Sequence, residues 1–304
     1  MRPSVILKKL HDYLTDKDYR VIFNSHRGFY NKMDDKEYLE LMSKTLLHRE
    51  LNLDNPQTYS DKMQWLKLHD RRPEYTTLVD KYAVKEYVAN LIGEDHIIPT
   101  LGVWDHFNDI DFDKLPNQFV LKCTHDSGSL IICKDKNKLN KALAKKELEN
   151  CLKHNYFYYY REWPYKNVKP RIIAEKYMTP KGSDALVDYK FFCFNGVPKI
   201  MYYSKDKAND PRTDFFDMEY NHLPIRMRDP NSDTIPPKPL TFETMKTLAT
   251  QLSAGYPHVR IDFYEIEGKI YFGEFTFYHC SGFINVKPEE WNFKLGSWIE
   301  LPKD

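Results

Sequence analysis

The stretch Val259-Arg260-Ile261-Asp262-Phe263-Tyr264-Glu265-Ile266-Glu267-Gly268-Lys269-Ile270-Tyr271-Phe272-Gly273-Glu274-Phe275-Thr276 decides how the chain is read. Apolar and polar residues alternate with period two on both sides of Glu267-Gly268, the pattern of a β-hairpin with one buried face. Alternation places Arg260, Asp262 and Tyr264 on one face of the first strand, and Glu274 and Thr276 together on the second. Pairing through the Glu267-Gly268 turn brings Asp262 and Glu274 close to opposite each other. Two carboxylates so placed repel unless a cation or a proton lies between them. Hard oxygen donors with no nearby His or Cys set suit Mg²⁺, which takes one or two carboxylates plus substrate phosphates. Arg260 beside them suits a phosphoryl oxygen. A solvated charged face with an Arg–carboxylate pair fits the same letters.

Working outward from the hairpin, the second half of the chain reads as strands: 171–178, then 188–194 and 198–203 around Asn195-Gly196, a strong hairpin signal. Residues 204–239 read as a polar, Asp- and Pro-rich connector, and 241–256 as a helix. Further toward the N-terminus, 98–103, 119–123 and 130–133 are short apolar runs bounded by Pro, Gly and Asp, followed by a helix over about 138–154. Up to about residue 91 the spacing is helical. Ile6, Leu10, Tyr13 and Leu14 share a face, as do Tyr38, Leu41, Met42 and Leu46. Thr58 is placed to cap a helix carrying Met63, Trp65, Leu66 and Leu68, and another helix is expected from about 76 to 90. Helices followed by mostly antiparallel strands give an α+β class, with units expected at 1–95, 96–178 and 179–304.

The 304 residues carry 45 Lys+Arg against 44 Asp+Glu, a balance that argues against nucleic acid as the main partner. No apolar run approaches the length of a membrane span, and the opening residues lack a signal-peptide core. Five cysteines without a CxxC pair fit a reducing compartment, so a cytoplasmic location is expected.

Two further constellations carry chemistry. In the first, a strand ending in Lys122 runs into Thr124, His125, Asp126, Ser127, Gly128 and Ser129 before a second strand returns. Backbone amides of such a loop can cradle phosphate, with the lysine as a point charge, although an ordinary hairpin has the same spelling and the Walker pattern is missing. In the second, Arg161, Trp163, Lys166 and their neighbours mix aromatic rings with cations, a combination suited to stacking on a sugar and pairing with its carboxylate.

Asp80-Lys81 to Lys85, Pro99, the Lys122 strand and loop, Ile173-Ala174-Glu175-Lys176-Tyr177-Met178, Asp188-Tyr189-Lys190, Arg260-Ile261-Asp262 and Glu274 follow the order found in ATP-grasp enzymes. More narrowly, Leu53-Asp54-Asn55-Pro56, Lys62-Met63-Gln64-Trp65, Arg161-Glu162-Trp163-Pro164-Tyr165 and Gly273-Glu274-Phe275-Thr276-Phe277-Tyr278 resemble the TupA-like ATP-grasp family, named for teichuronopeptide biosynthesis. The resemblance implies an ATP-grasp fold in which a helical N-terminal region replaces a Rossmann-like domain. It implies a Mg²⁺-dependent ligase joining an acid to an amine through an acylphosphate, with a sugar uronic acid as the acid in polysaccharide synthesis. By resemblance, Lys81, Lys122, Lys190 and the loop 124–129 hold ATP phosphates, while Glu175, Lys176, Tyr177 and Met178 face adenine and Asp184 the ribose. Asp262 and Glu274 bind the metal and Arg260 stabilises the transferred phosphoryl. Many ATP-grasp enzymes carry Asn two residues after the metal glutamate; Thr276 stands there, which leaves the third ligand open. His279 and Ser281 follow in a segment that departs from the wider pattern and is expected to bear on the acceptor.

Two other functions fit parts of the sequence. Asp109-Ile110-Asp111 and Asp111-Phe112-Asp113 spell the DxD of a metal-dependent glycosyltransferase, but such triplets also fix turns. A catalytically silent binding module would keep the fold without the combination of Lys122, Arg260, Asp262 and Glu274.

Overall fold

The computed structural model describes residues 3–180, 186–205 and 210–303. Six helices come first: α1 (Pro3–Thr15), α2 (Lys17–His26), α3 (Asp35–Leu46), α4 (Tyr59–His69), α5 (Glu74–Val79) and α6 (Ala83–Ile92). Thr58 caps α4, its hydroxyl oxygen accepting from the Asp61 amide at 3.1 Å. One continuous helix over 76–90 was expected, but α5 and α6 are separate. The Asp80 carboxylate accepts from the amides of Tyr82 and Ala83, starting a new helix and leaving Lys81 in the break.

A four-stranded antiparallel sheet follows, from β1 (Thr100–Trp104), β2 (Phe119–Cys123), β3 (Ile131–Cys133) and, after α7 (Lys141–Leu152) and α8 (Phe157–Tyr160), β4 (Ile172–Lys176); its order is β1-β4-β2-β3. The second sheet has six strands: β5 (Asp188–Phe194), β6 (Val197–Lys205), β7 (Arg212–Asp217), β8 (His222–Leu223), β9 (His258–Ile266) and β10 (Lys269–Thr276), in the order β10-β9-β5-β6-β7-β8. The stretch 204–239 is therefore not a plain connector: β7 and β8 extend this sheet, and Phe215 and Phe216 are buried. Two helices complete the chain, α9 (Phe242–Ser253) and α10 (Glu290–Ser297).

Strand β5 is buried along its whole length because it pairs on both edges and is covered on both faces. Its Phe191 and Cys193 pack toward α9, while Lys190 and Phe192 point the other way, at the side chains of β9. Each such buried ring contributes roughly 2 kcal/mol of transfer free energy. The largest core continues from this sheet into the N-terminal region, uniting Tyr59, Met63 and Leu66 of α4 with Phe191, Phe275 and Leu295. Helix α4 lies so close to α10 that a Cβ on Gly296 would stand 2.2 Å from the Gln57 carbonyl oxygen, so a larger residue there requires the helices to part. Among the described residues no helix is long and apolar enough to cross a membrane.

Candidate active site

The hairpin of β9 and β10 positions the acidic pair, by a route the alternation alone does not predict. Counting from the Ile266–Lys269 pair at the turn, strict register would set Gly273 opposite Asp262 and put Glu274 on the far face. Between Phe272 and Phe275 the register shifts by one residue, a β-bulge that places Gly273 and Glu274 together against Asp262. Gly273 permits it: a Cβ there would lie 3.1 Å from the Asp262 carbonyl oxygen. The shift also pairs Thr276 with Arg260 and leaves the Thr276 hydroxyl 3.2 Å from Glu274 Oε1.

Arg260 occupies the centre. Its Nε and Nη2 donate to the two oxygens of Asp262, each at 2.7 Å, and Nη2 also donates to Glu274 Oε1 at 2.9 Å. Lys190 stands opposite Asp262 in the β5–β9 register and donates to Asp262 Oδ2. Burial by itself would raise the Asp262 pKa, but Arg260 and Lys190 outweigh it and hold the carboxyl well below the usual range. Lys190 thus belongs with the carboxylates rather than with the phosphate loop. The Arg260 Nη1 donates to His279 Nδ1 at 2.6 Å. A guanidinium only donates, so Nδ1 is the acceptor and His279 is neutral; burial and the cation both depress its pKa.

The first sheet supplies a second ionic cluster. Glu175 on β4 is held between Lys85 of α6, at 2.5 Å, and Lys122 of β2, at 2.7 Å. Burial pushes its pKa up, and the two lysines more than reverse that. Lys81, Lys122 and Glu175 line one cavity with Tyr264 and Glu274, so the cations of the first sheet face the carboxylate edge of the second. Alongside runs a slot of about 270 Å³ walled by Ile98, Val120, Leu130, Tyr177 and Met178, with Lys176 and Glu175 at its edge: an apolar space with a polar rim that suits a flat heterocycle.

The loop after Lys122 divides into a root and a tip. Thr124 and His125 are buried and pinned, Thr124 to the carbonyl oxygens of Arg171 and Lys169, His125 Nε2 within 3.2 Å of those of Cys151 and His154. Ser129 donates to Asp126 at 2.6 Å, and Lys81 donates to the Asp126 carbonyl. Ser127 and Gly128 are exposed, with Gly128 at φ +115°, so the cradle implied by the resemblance narrows to this tip.

Other expected residues lie elsewhere. Arg161 is buried in the N-terminal helices: it pairs with Asp35 at 2.8 Å, donates to the Tyr30 carbonyl at 2.7 Å and stacks on Tyr38. With its guanidinium so engaged it holds the fold and does not face a substrate. Trp163 is half-buried, and Lys166 is exposed over the Phe157 ring, beside a groove that reaches Lys153 and His125. Ser281 is buried against Glu162. Asp184 lies outside the described residues. Asp109, Asp111 and Asp113 are exposed around the buried Ile110 and Phe112, and Asp111 accepts from the Asp113 amide at 3.1 Å, so the DxD triplets form a turn.

Lys85 and Tyr264, named in the sequence motifs without a role, line the same cavity, and Glu162 and Lys67, for which no role was expected, lie nearby. The signal for Lys67 was present: it falls four residues after Met63, on the apolar face of α4, where a lysine is out of place.

Two antiparallel sheets closing on one cleft, lysines on one and paired carboxylates on the other, make this an ATP-grasp fold. The TupA-like ATPgrasp family pattern matches residues 61–300, and the chain belongs to that family. Among solved structures the chain is similar to D-alanine–D-alanine ligase from Bacillus anthracis (16% identity, TM-score 0.39, 66% of this chain and 57% of that one). It is also similar to D-alanine–D-alanine ligase from Helicobacter pylori (15%, TM-score 0.40, 79% and 69%) and to N5-carboxyaminoimidazole ribonucleotide synthetase from Thermus thermophilus (11%, TM-score 0.35, 66% and 45%). The chain therefore spans less than two thirds of the first of these. No curated protein matches it by sequence.

Proposed function

We propose that the protein is an ATP-dependent ligase that joins a carboxylic acid to an amine through an acylphosphate. The observation that carries this reading is the shared cavity in which Lys81 and Lys122 face Glu274 at the edge of the Arg260–Asp262 cluster. Phosphoryl transfer from ATP requires positioned cations and metal ligands rather than a protein nucleophile, and this cavity offers those groups.

The adenine occupies the slot beside Tyr177 and Met178. Lys81, Lys122 and the tip at Ser127 and Gly128 hold the phosphates, with Asp184 assigned to the ribose. The oxygen donors Asp262 and Glu274, with Thr276 adjacent, fit a hard divalent cation: Asp262 is kept ionised, and Glu274 is only partly buried. Mg²⁺ held there would neutralise the charge of the phosphates. Arg260, already aimed along this edge, stabilises the phosphoryl group in transit. The substrate acid then carries the phosphate as leaving group, and amine attack on its carbonyl carbon releases inorganic phosphate.

For the acid we propose a sugar uronate, free or nucleotide-linked, in surface polysaccharide synthesis, with Trp163 available for stacking and Lys166 for the carboxylate or diphosphate. ADP release measured across uronic acids and small amines, with Mg²⁺ present, tests the reading. ADP formation that needs both an acid and an amine supports it; sugar loss from a nucleotide-sugar without ATP consumption replaces it with glycosyl transfer.

A further inference from the structure

Glu162 is a buried carboxylate beside the Arg260 cluster that nothing in the reading above employs. It precedes the turn at Trp163–Asn167, and its Oε1 accepts from the Ser281 hydroxyl at 2.5 Å. Among the described residues Ser281 is its one hydrogen-bond partner, and the Glu162 residue is 6% exposed. The other acids of the site differ: Asp262 is gripped by Arg260 and Lys190, Glu175 by two lysines, and Glu274 by Arg260.

One short turn links Glu162 to the reacting end of the cleft. In His279–Gly282, His279 is held by Arg260 and Ser281 by Glu162, with Cys280 and Ser281 at φ 48° and 54°. Such left-handed backbone is unfavourable for these residues and persists because both side chains are fixed. Lys67 braces the arrangement: its ammonium donates to the carbonyl oxygens of Tyr160 at 2.8 Å and Ser281 at 2.7 Å and lies 4.7 Å from the Phe283 ring centre. Among the described residues it makes no direct ion pair with Glu162, but it is the strongest charge that the carboxylate feels. Burial raises the affinity of the Glu162 carboxylate for a proton and outweighs the opposing charge of Lys67; Glu274 adds to the rise and Arg260 opposes it. Tyr156 and Tyr165 stand in the same field, and burial followed by the Glu162 charge raises the pKa of both.

We propose that Glu162 is the acceptor-side carboxylate, binding the ammonium form of the incoming amine and removing a proton from it. The inference rests on the ligase reading above. An ammonium has no lone pair, so the nitrogen must lose one proton before attack, and Glu162 takes it. The C–N bond then forms as the bond from carbon to phosphate oxygen breaks; phosphate leaves with that electron pair and takes the second proton from nitrogen. The acceptor class is therefore a primary amine cationic at neutral pH, such as an amino acid or an amino sugar, approaching past Tyr156 and Tyr165.

Hydroxylamine separates this role from a structural one, because it is largely uncharged at neutral pH and traps acylphosphates as hydroxamates without needing a base. The protein is assayed with ATP, Mg²⁺ and glucuronate or galacturonate, free and UDP-linked, against hydroxylamine and against amino acids. In Glu162→Gln, hydroxamate formation stays within about threefold of the unmodified enzyme while amino-acid-dependent ADP release falls about 100-fold or more. Ser281→Ala, which removes only the hydrogen bond that aims the carboxylate, shows a smaller loss of the same selective kind. Equal loss with both nucleophiles in the two variants, or unchanged turnover with amino acids, overturns the assignment. No hydroxamate from the unmodified enzyme with any of these acids instead overturns the underlying reading for uronates, and the role of Glu162 falls with it.

Discussion

Lys122 Nζ lies 2.7 Å from Glu175 Oε2 across the β2–β4 pairing, and both face the cavity shared with Glu274. Glu175 is buried and Lys122 partly open, so the two ends of this bond have unequal consequences. Lys122→Met removes a charged donor from the phosphate side while Lys85 still pairs with Glu175. It raises KM for ATP about tenfold to 100-fold and, by leaving Glu175 Oε2 without its partner, lowers unfolding stability by about 1 to 3 kcal/mol. Glu175→Ala strands two lysines around a buried hole and lowers unfolding stability by about 3 to 5 kcal/mol. Urea titration and ATP kinetics on both variants check the contrast.

Glu274 is bonded to Arg260, yet its side chain is 44% exposed, and it sits in a bulge rather than in the ladder. Glu274→Ala therefore abolishes acid-dependent ADP release while moving the melting temperature by only a few degrees. Full activity in a folded Glu274→Ala protein removes the metal site assigned here.

Arg161 was expected on sequence grounds to contact substrate and instead anchors α3, through Asp35 and Tyr38. Arg161→Ala thus lowers stability by about 3 kcal/mol or more and, in the fraction that stays folded, leaves KM for the acid unchanged. Chemical denaturation paired with substrate titration separates the two effects.

The hairpins and the Lys122 strand were legible because period-two alternation and the Asn195-Gly196 and Glu267-Gly268 turns are local signals; the facing of Asp262 and Glu274 was expected from the hairpin but depends on a bulge. The bulge was not: it changes register by one residue and shows only in which backbone atoms Gly273 meets. Strand β7 was hidden because Asp and Pro dominate its surroundings, and its two buried phenylalanines are adjacent rather than alternating. The break at Lys81 comes from Asp80, which also pairs with Arg171 some ninety positions later. Glu162, Lys67 and Arg161 draw their meaning from partners far along the chain, and no window of sequence contains those partners.

His258 is enclosed between the Tyr59 hydroxyl and the Phe277 carbonyl, and burial pushes its pKa down to about 3. The folded protein holds it neutral where the unfolded chain, with a pKa near 6.5, binds a proton. Its contribution is therefore complete above pH 6.5 and is lost as pH falls from 6.5 toward 3, at about 1.4 kcal/mol per unit. Between pH 7 and pH 5 the unmodified protein loses about 2 kcal/mol more stability than His258→Gln. Urea unfolding at the two pH values measures the difference directly.

The docking of α4 on α10 has a consequence for how the molecule is made. Lys62 donates to the Ile299 carbonyl 237 positions further on, and Ser60 meets Asn292 at 3.4 Å. A ribosome releases α4 long before α10 exists. The apolar flank formed by Tyr59, Met63 and Leu66 must therefore wait uncovered while most of both sheets is translated. Helix α4 is thus made early and fully covered late, and during that interval its apolar flank is open to aggregation.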